Sequence, residues 1–404
     1  MAHIQTVPEA TPPARFRYGI VLIGFVTLAG ASGASSAFAV FYTTLLQEFN
    51  WSHAGGASVY SVNMLVLAAS APLSGWLLDR FGPRWLFSTA AMLIGVAFIA
   101  CSGLRSLGQF ILFYGVLSAV GQTALMLVPV VVSRWFPQAQ RGRAIGFADV
   151  GTGFGMVAVV PGSAWLISLF GWRHAFIILG VVVLAVLVPL NLLHRPAPAV
   201  AASVAVTSSR RRVLHSRTFW MLCAAHLCMT ITMTMVNVHL VEFLVSANIL
   251  PILAASTIVS AVSLVSLGGR MFFGWLADRL RGEGAFSIAM GCTMMGFVLL
   301  SILARTEVRW PLYVFVVIYG FAQGGGGIAI AAKTVEQFQG PHLGTIFMLV
   351  NLSANLGAAF GAWFGGRLFD FSGSYALTFL TAIVSGGVAI GCMWAGRTRK
   401  QEVT

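Results

Sequence analysis

Hydrophobic residues along this chain gather into runs of about 20, separated by short polar segments. Such a run matches one helical crossing of a bilayer, because a helix rises about 1.5 Å per residue and the hydrocarbon layer is roughly 30 Å thick. The pattern predicts an all-α polytopic membrane protein with twelve transmembrane helices, numbered here as spans one to twelve. The predicted ranges are 18–45, 55–78, 85–104, 109–133, 143–168, 174–194, 219–245, 252–276, 285–304, 311–333, 344–368 and 375–396.

Positive charges are distributed unequally between alternate loops. With both termini in the cytoplasm, seventeen arginine and lysine residues lie on that side and five lie outside. Arginine and lysine are enriched in cytoplasmic loops, so this orientation is predicted, in a cytoplasmic (inner) membrane. The first apolar run is too long for a signal peptide and is interpreted as an uncleaved span. The five outer residues are Arg105, Arg173, Arg305, Arg309 and Arg367.

Composition narrows the function classes. Mean hydropathy is +0.88, and 58% hydrophobic with 9% charged residues excludes a water-soluble globule. The net charge of +13 lies in loops between apolar runs, so no nucleic-acid partner is predicted. The five cysteines lie in apolar segments without metal or redox spacing, so we expect packing roles and no cofactor. Neither a nucleophile motif nor an added soluble domain favours an enzyme.

The two halves of the chain repeat each other. The run GWLLDR after span two returns as GWLADR after span eight, and a Tyr-Gly pair at 114 returns at 319. Two six-helix bundles in parallel, with a site near the midplane between them, are typical of secondary transporters. The bundles are predicted at 18–194 and 219–396, and the protein is expected to be a monomer. Cytoplasmic tails are predicted at 1–17 and 397–404, with a cytoplasmic linker at 195–218.

The segment GWLLDRFGPRW at 75–85 resembles the signature loop of the major facilitator superfamily. The resemblance implies the fold of that superfamily, with two pseudo-symmetric bundles that alternate access. An acidic residue at the end of span two can bind a helix N-terminus and neighbouring arginines, and so latch the cytoplasmic side. A weaker latch is predicted after span eight, and simple interfacial anchoring is the alternative. The predicted latch residues are Asp79, Arg80, Arg84, Asp278 and Arg279.

A narrower resemblance is to the monocarboxylate porter and oxalate–formate antiporter branch of bacterial type. This branch implies proton-coupled or exchange transport of small organic anions, with an arginine of span eight on the substrate carboxylate. By position that arginine is Arg270. The segments that carry the resemblance are FAVFYTTLLQEFNWS (38–52), WFPQAQRGRAIGFADVGTGFG (135–155), FGWRHAF (170–176), VHLVEFL (238–244) and GGRMFFGWLADR (268–279).

Arg270 is costly where the sequence places it. Asp278 marks a helix end two turns later, so Arg270 lies roughly 12 Å inside the bilayer. A charge at such a depth costs from about 2.5 to well over 10 kcal/mol, and it is expected to face protein or water. The matching position of the first half is Ala71. A charge that the repeated scaffold required would be expected in both halves. Because only the second half carries it, a role in function is predicted for Arg270.

Other polar residues form stripes on the spans that line the central cavity in this architecture. Span seven carries His226, Thr230, Thr234 and Asn237 on one face. Hydroxyls, amides and one guanidinium around an apolar cavity suit a small carboxylate. Hydrogen bonds that merely hold the bundle together are the alternative. The predicted substrate-binding set is Arg270, Tyr114, Tyr319, Gln323, Ser118, Gln122, Asn237 and Asn355.

Proton coupling needs a group that titrates near the working pH. The candidates are His239, late in span seven, Asp149 in span five and Glu242 nearer the outer surface. His239 as an interhelical hydrogen bonder, and Asp149 as a structural partner of Arg134 or Arg143, are the alternatives. Lys333, near the end of span ten, is interpreted as snorkelling to the interface.

The chain departs from the branch at two positions. Span eleven has Asn351 and Asn355 but no lysine, whereas oxalate–formate exchangers carry a second cation there. One cation and one monocarboxylate are therefore the better charge match. Ser266 occupies the position four residues before Arg270 that is often acidic or amide in this branch, so a carboxylate partner for the empty Arg270 is not identified.

Three functions fit these observations. The first is a secondary transporter of a small organic monocarboxylate such as lactate or pyruvate, with proton symport across the lipid bilayer. The second is a carrier of a larger or neutral compound, such as an aromatic acid, a vitamin like riboflavin or a drug, favoured by Met126, Met233, Met235 and Phe321 near the cavity. The third is a non-transporting membrane receptor or a membrane-embedded enzyme.

Overall fold

A computed structural model describes residues 14–51, 53–195, 213–306 and 308–396, and this part of the chain is almost entirely helical. The predicted tails, except for a few residues after Pro13, and most of the predicted linker lie outside the described residues. The α-helices, numbered in chain order, are α1 Ala14–Phe49, α2 His53–Cys101, α3 Leu107–Phe110, α4 Ala119–Leu125, α5 Val128–Ser133, α6 Arg141–Val182, α7 Val188–Leu192, α8 Arg217–Asn237, α9 Leu240–Ser246, α10 Ile252–Leu303, α11 Trp310–Gln323, α12 Gly325–Gln337, α13 Leu343–Ser372 and α14 Ala376–Ala395.

Within the described residues, nine helical segments are long and apolar enough to cross a membrane. In three of these segments, two predicted spans are joined at a backbone break within α2, α6 or α10. Span six continues from α6 through a π-helical stretch at Val183–Leu187 into α7. Twelve spans result, as the hydrophobic pattern predicts, and they form two bundles of six.

The breaks within the long helices have a common backbone conformation. Gly82 (φ 77°, ψ 172°) separates spans two and three, and Gly171 (φ 76°, ψ 164°) separates spans five and six. Glycine adopts positive φ without steric cost because it has no Cβ. Spans eight and nine separate at Arg281 (φ 60°, ψ 163°), which occupies the position of Gly82 in the second half.

Spans four, seven and ten are each interrupted by a break in the helix. Span four has a π-helical stretch at Ile111–Ser118 and a break before α5, where Pro129 supplies no backbone N–H. Span seven breaks between α8 and α9, and span ten breaks at Gly324. Irregular backbone at membrane depth is tolerated where it lies inside protein or lines a cavity. Met126, Pro129 and Gly324 at the breaks of spans four and ten line the central cavity, whereas the break of span seven at His239 lies away from it.

The two halves meet along two helix pairs, span two with span eleven and span five with span eight. Glycines permit the approach. A Cβ on Gly75 would lie 2.5 Å from the Gly344 carbonyl oxygen, and one on Gly274 would lie 2.5 Å from that of Gly142. Backbones can approach this closely only where side chains are small. The contacts fix both helix pairs at the same end of the bundle, called the lock face below.

Candidate functional site

Two aspartates close the lock face by binding helix N-termini of the opposite half. Asp79 accepts hydrogen bonds from the Gly344 and Thr345 amides, both at 2.9 Å, and from the Thr345 hydroxyl at 3.0 Å. Asp278 accepts from the Gly142 amide at 2.7 Å and the Arg143 amide at 2.9 Å. The first amides of a helix have no partner within it, and its dipole favours a negative charge there. We call these arrangements lock 1 (Asp79) and lock 2 (Asp278).

The arginines predicted for the latch lie elsewhere. Arg80 stacks over Trp76 and Phe81, Arg84 over Trp85, and Arg279 over Trp275, at ring distances of 4.7–5.6 Å. The prediction that Arg80 acts with Asp79 is corrected, because Arg134 supplies the guanidinium, 3.2 Å from Asp79. Arg143 lies 3.7 Å from Asp278. Both acids are nearly buried, at 7% and 4% side-chain exposure.

A cavity of about 330 Å³ lies between the halves, from the middle of the bundle towards the lock face. Spans one, four, five, seven, eight, ten and eleven contribute to its wall. Most of the wall is apolar, including Met126, Met229 and Phe347. Its polar residues are Asp149, Thr152, His226, Arg270, Gln323, Thr334 and Asn351. A few polar groups in an apolar cavity of this size are typical of a small-molecule site.

Arg270 and Asp149 form an ion pair across the cavity. Arg270 is on span eight and Asp149 is on span five, so the pair joins the two halves. Their side chains are 15% and 22% exposed, which keeps the attraction only partly screened. The interpretation that Arg270 lacks a carboxylate partner is therefore wrong. The alternative that paired Asp149 with Arg134 or Arg143 is also wrong, since those arginines lie at the locks.

Local packing orients both members of the pair. A Cβ on Gly324 would lie 2.4 Å from Cγ of Arg270, so the break in span ten leaves room for the arginine side chain. The Thr152 hydroxyl donates to Asp149 Oδ1 at 3.1 Å. Arg270 Nη1 also lies 3.4 Å from the Asp149 backbone carbonyl oxygen. Arg270 Nε is buried and has no hydrogen-bond partner in the described part of the chain.

The polar stripe of span four, formed by Tyr114, Ser118 and Gln122, does not reach the cavity. The Tyr114 hydroxyl donates to the carbonyls of Ala34 and Ser35 at 2.8 and 3.0 Å, and its side chain is fully enclosed. Gln122 donates to the Ser118 hydroxyl at 2.6 Å, and both residues are buried. Substrate contact by these three residues is corrected to structural hydrogen bonding, in which Tyr114 joins spans one and four and Gln122 bonds Ser118 within span four.

The stripes of spans seven and ten meet each other. The Tyr319 hydroxyl donates to Asn237 Oδ1 at 2.7 Å, and Gln323 Nε2 donates to the same oxygen at 3.2 Å. Gln323 also lines the cavity, whereas Tyr319 is fully buried. Asn237 is therefore an acceptor that orients Gln323, and Gln323 is the residue of this group placed towards a ligand.

Three other candidates lie away from the ion pair. His239 Nε2 is 3.1 Å from the Ala362 carbonyl oxygen, and its ring packs near Tyr375. Glu242 is exposed in the first turn of α9, and Asn355 is exposed on span eleven. The described residues around the cavity do not include them. Of the proton-coupling candidates, Asp149 alone lines the cavity.

Two features of the structure are not predicted by the sequence pattern. His226 was placed on the span-seven stripe without a role, yet it lines the cavity and is only 7% exposed. Lys333 does not snorkel, because its ammonium lies 2.8 Å from Glu283 and 3.5 Å from Glu336, with the lysine 6% exposed. The i,i+3 spacing of Lys333 and Glu336 was the available signal for the second feature.

Comparison with known proteins agrees with this architecture. The family model of the Major Facilitator Superfamily matches residues 21–362. Monocarboxylate transporter 13 of Rattus norvegicus is 27% identical over 97% of this chain and 94% of its own length. The uncharacterized MFS-type transporter YcxA of Bacillus subtilis is 23% identical over 93% of this chain and 94% of its own.

Solved structures share the fold. The E. coli fucose:proton symporter FucP is 14% identical, with a TM-score of 0.73 over 94% of this chain and 100% of that chain. A double-tryptophan mutant of XylE has a TM-score of 0.77 at 14% identity, over 96% and 97%. The family model and these structures confirm the predicted family and fold class. The relatives are transporters and not enzymes. This multi-pass membrane protein belongs to the Major Facilitator Superfamily.

Proposed function

We propose that this transporter moves a small organic monocarboxylate together with a proton, by alternating access. The Arg270–Asp149 ion pair across the cavity is the observation that carries the proposal. A guanidinium binds a carboxylate through two parallel N–H···O bonds, and an incoming substrate carboxylate competes with Asp149 for those donors. The similarity to monocarboxylate transporter 13 supports the same substrate class.

The proton has a defined place in this proposal. When Asp149 is protonated, its attraction to Arg270 weakens and the guanidinium becomes available to the substrate anion. When the substrate leaves, Asp149 releases its proton and pairs with Arg270 again. The two exchanges occur at one pair of residues, so substrate and proton move in the same direction.

Alternating access follows from the positions of the locks. Locks 1 and 2 join the halves at the lock face, which we propose to be the cytoplasmic side of an inner membrane, with both termini on that side. Release of the substrate there requires Asp79 and Asp278 to leave the helix N-termini that they bind. The protein is proposed to work as a monomer, because the cavity and both locks lie within one chain.

A carrier of a larger compound is the second candidate. Met126, Met229 and Phe347 in the cavity wall favour it, since polarizable and aromatic side chains accept varied apolar groups. Arg270 still requires an anionic group on such a compound. An aromatic monocarboxylate satisfies both observations, whereas a neutral vitamin or drug leaves the arginine without a ligand.

Replacement of Arg270 tests the proposed function. In proteoliposomes with an inward proton gradient, Arg270→Ala is expected to lower lactate or pyruvate uptake at least about 100-fold, through loss of a charge-assisted bidentate contact. Arg270→Lys keeps the charge without the fork and is expected to recover only part of the loss. Arg305→Ala, an exposed arginine outside the cavity, is the matched control. Wild-type uptake by the alanine variant would refute the proposal.

A further inference from the structure

His226 is a buried cavity residue that the ion pair does not involve. It lies on α8 and is 7% exposed, and it shares the cavity wall with Arg270. One turn further along α8, Thr230 donates its hydroxyl to the His226 carbonyl at 2.9 Å. This hydrogen bond lies within α8, so the His226 carbonyl is satisfied by its own helix and the imidazole remains for other contacts.

The hydrogen bond of the ring fixes its tautomer. His226 Nδ1 lies 3.2 Å from the backbone carbonyl oxygen of Val350 on span eleven. A carbonyl oxygen can only accept, so Nδ1 must carry the hydrogen. In this tautomer of the neutral ring, Nε2 carries no hydrogen and is a bare acceptor.

Nε2 is open to a ligand. It makes no hydrogen bond within the described part of the chain, and the atom retains some accessible surface. Since only 7% of the residue is exposed and the residue lines the cavity, that opening faces the cavity. A nearly buried acceptor left without a donor loses stability, so a ligand that supplies a neutral O–H or N–H beside its carboxylate is favoured over one that does not.

We propose that His226 is a specificity-determining residue, and that its Nε2 accepts a hydrogen bond from the hydroxyl of a hydroxy-monocarboxylate bound to Arg270. The inference rests on the proposed function and extends it by naming the second recognised group. A 2-oxo acid presents an acceptor to Nε2 and is disfavoured. Sites built to bond a substrate hydroxyl discriminate strongly against analogues that lack it.

The test compares lactate with pyruvate, which differ at this one group. His226→Asn keeps an amide N–H that can reach Val350 but removes the acceptor at the Nε2 position, so it separates packing from recognition. Affinities are measured by calorimetry on purified wild-type, His226→Asn and His226→Leu proteins. Wild type is expected to bind lactate roughly tenfold more tightly than pyruvate. His226→Asn is expected to lose that preference by weakening lactate binding, with pyruvate affinity changed less than about twofold.

The outcomes distinguish the two proposals. Retention of the lactate preference in His226→Asn, or an equal loss for both acids, would overturn the role of His226 while leaving the monocarboxylate function intact. If neither acid bound the wild type, the proposed function would fail, and the specificity would fail with it. A ligand-independent check is the ¹⁵N NMR spectrum of histidine-labelled protein, assigned by the signal missing in His226→Asn. A signal from a ring protonated at Nε2 would contradict the inference.

Discussion

Locks 1 and 2 occupy equivalent positions in the two halves, yet their surroundings differ. In each, an aspartate binds the amides of the second and third residues of a helix in the other half. In lock 1 the supporting guanidinium, Arg134, belongs to the same half as Asp79. The matching position near lock 2 is Glu336, which accepts from Gln138 of the other half at 3.0 Å. The repeat has preserved the helix-capping aspartate and changed the charges around it.

The same comparison extends into the cavity. Asp149 lies two turns above the amides of lock 2 on span five, and Arg270 lies two turns above Asp278 on span eight. The matching positions above lock 1 are Asn351 and Ala71, which carry no charge. The helix pair of lock 2 therefore carries both a lock aspartate and the ion pair, whereas that of lock 1 carries a lock aspartate alone. A symmetric frame thus supports an asymmetric site.

The largest expected effect comes from removing the carboxylate of Asp149, one of the two charges that distinguish the helix pairs. Asp149→Asn gives span five the residue that span eleven has at Asn351, and it frees Arg270. Uptake driven by a pH gradient is expected to fall to the level of empty liposomes, since the variant has no carboxyl to protonate. Lactate affinity is expected to rise about tenfold through loss of the competing carboxylate.

Two assays on this variant separate coupling from folding. Exchange of internal for external lactate at equal pH should persist in Asp149→Asn, and Asp370→Asn, at an exposed aspartate outside the cavity, is the matched control for both assays. Gradient-driven uptake at the wild-type rate would exclude Asp149 as the proton site.

The second prediction concerns the buried ion pair of Lys333 and Glu283 near lock 2, for which the described residues near lock 1 contain no equivalent. Lys333→Met removes the cation from beside Glu283, whose side chain is 3% exposed. Breaking a buried ion pair on one side costs about 3–5 kcal/mol, so a marked fall in the midpoint of thermal unfolding in detergent is expected. Arg173→Met removes an ion pair whose members are 51% and 45% exposed, and should leave the midpoint nearly unchanged. Equal midpoints for the two variants would contradict a structural role for Lys333.

The third prediction ranks the locks themselves. Asp79 has three hydrogen bonds from the opposite half and a guanidinium at 3.2 Å, whereas Asp278 has two and a guanidinium at 3.7 Å. Asp79→Asn is expected to weaken closure of the lock face by about 1–3 kcal/mol, and Asp278→Asn by less. Distances between spin labels on the two halves at this face would report the open fraction. A larger open fraction for Asp278→Asn would reverse the ranking.

The smallest effect concerns the turns that follow the locks. Arg281 has the backbone conformation that Gly82 adopts in lock 1, and this region costs a residue with a Cβ about 1–3 kcal/mol. Arg281→Gly is expected to raise the free energy of unfolding by about 1 kcal/mol. This net value allows for the greater conformational freedom of glycine in the unfolded chain, which offsets part of the relieved strain. Gly82→Ala is expected to lower it. Urea unfolding of both variants measures the two shifts, and a destabilised Arg281→Gly would show that Arg281 is not strained.

The spans, the repeat and the cost of Arg270 are predictable from the sequence, because each depends on local hydrophobicity or spacing. The lock aspartates were predicted from the resemblance of residues 75–85 to the signature loop of the superfamily. The partner of Arg270 was not predictable from the sequence, since the distance between spans five and eight depends on contacts such as that of Gly146 with the Arg270 carbonyl. A helical stripe likewise does not say which neighbour it faces. Tyr114 faces span one and His226 faces the cavity, although both lie on polar stripes.

The Arg270–Asp149 pair also determines the electrical behaviour of the proposed cycle. In the unloaded carrier, one guanidinium and one carboxylate cancel each other. In the loaded carrier, the substrate anion replaces the carboxylate and Asp149 is neutral, so the sum is again zero. Neither reorientation then carries net charge through the bilayer field. Accumulation of the substrate would follow the pH difference across the membrane and would be insensitive to the membrane voltage.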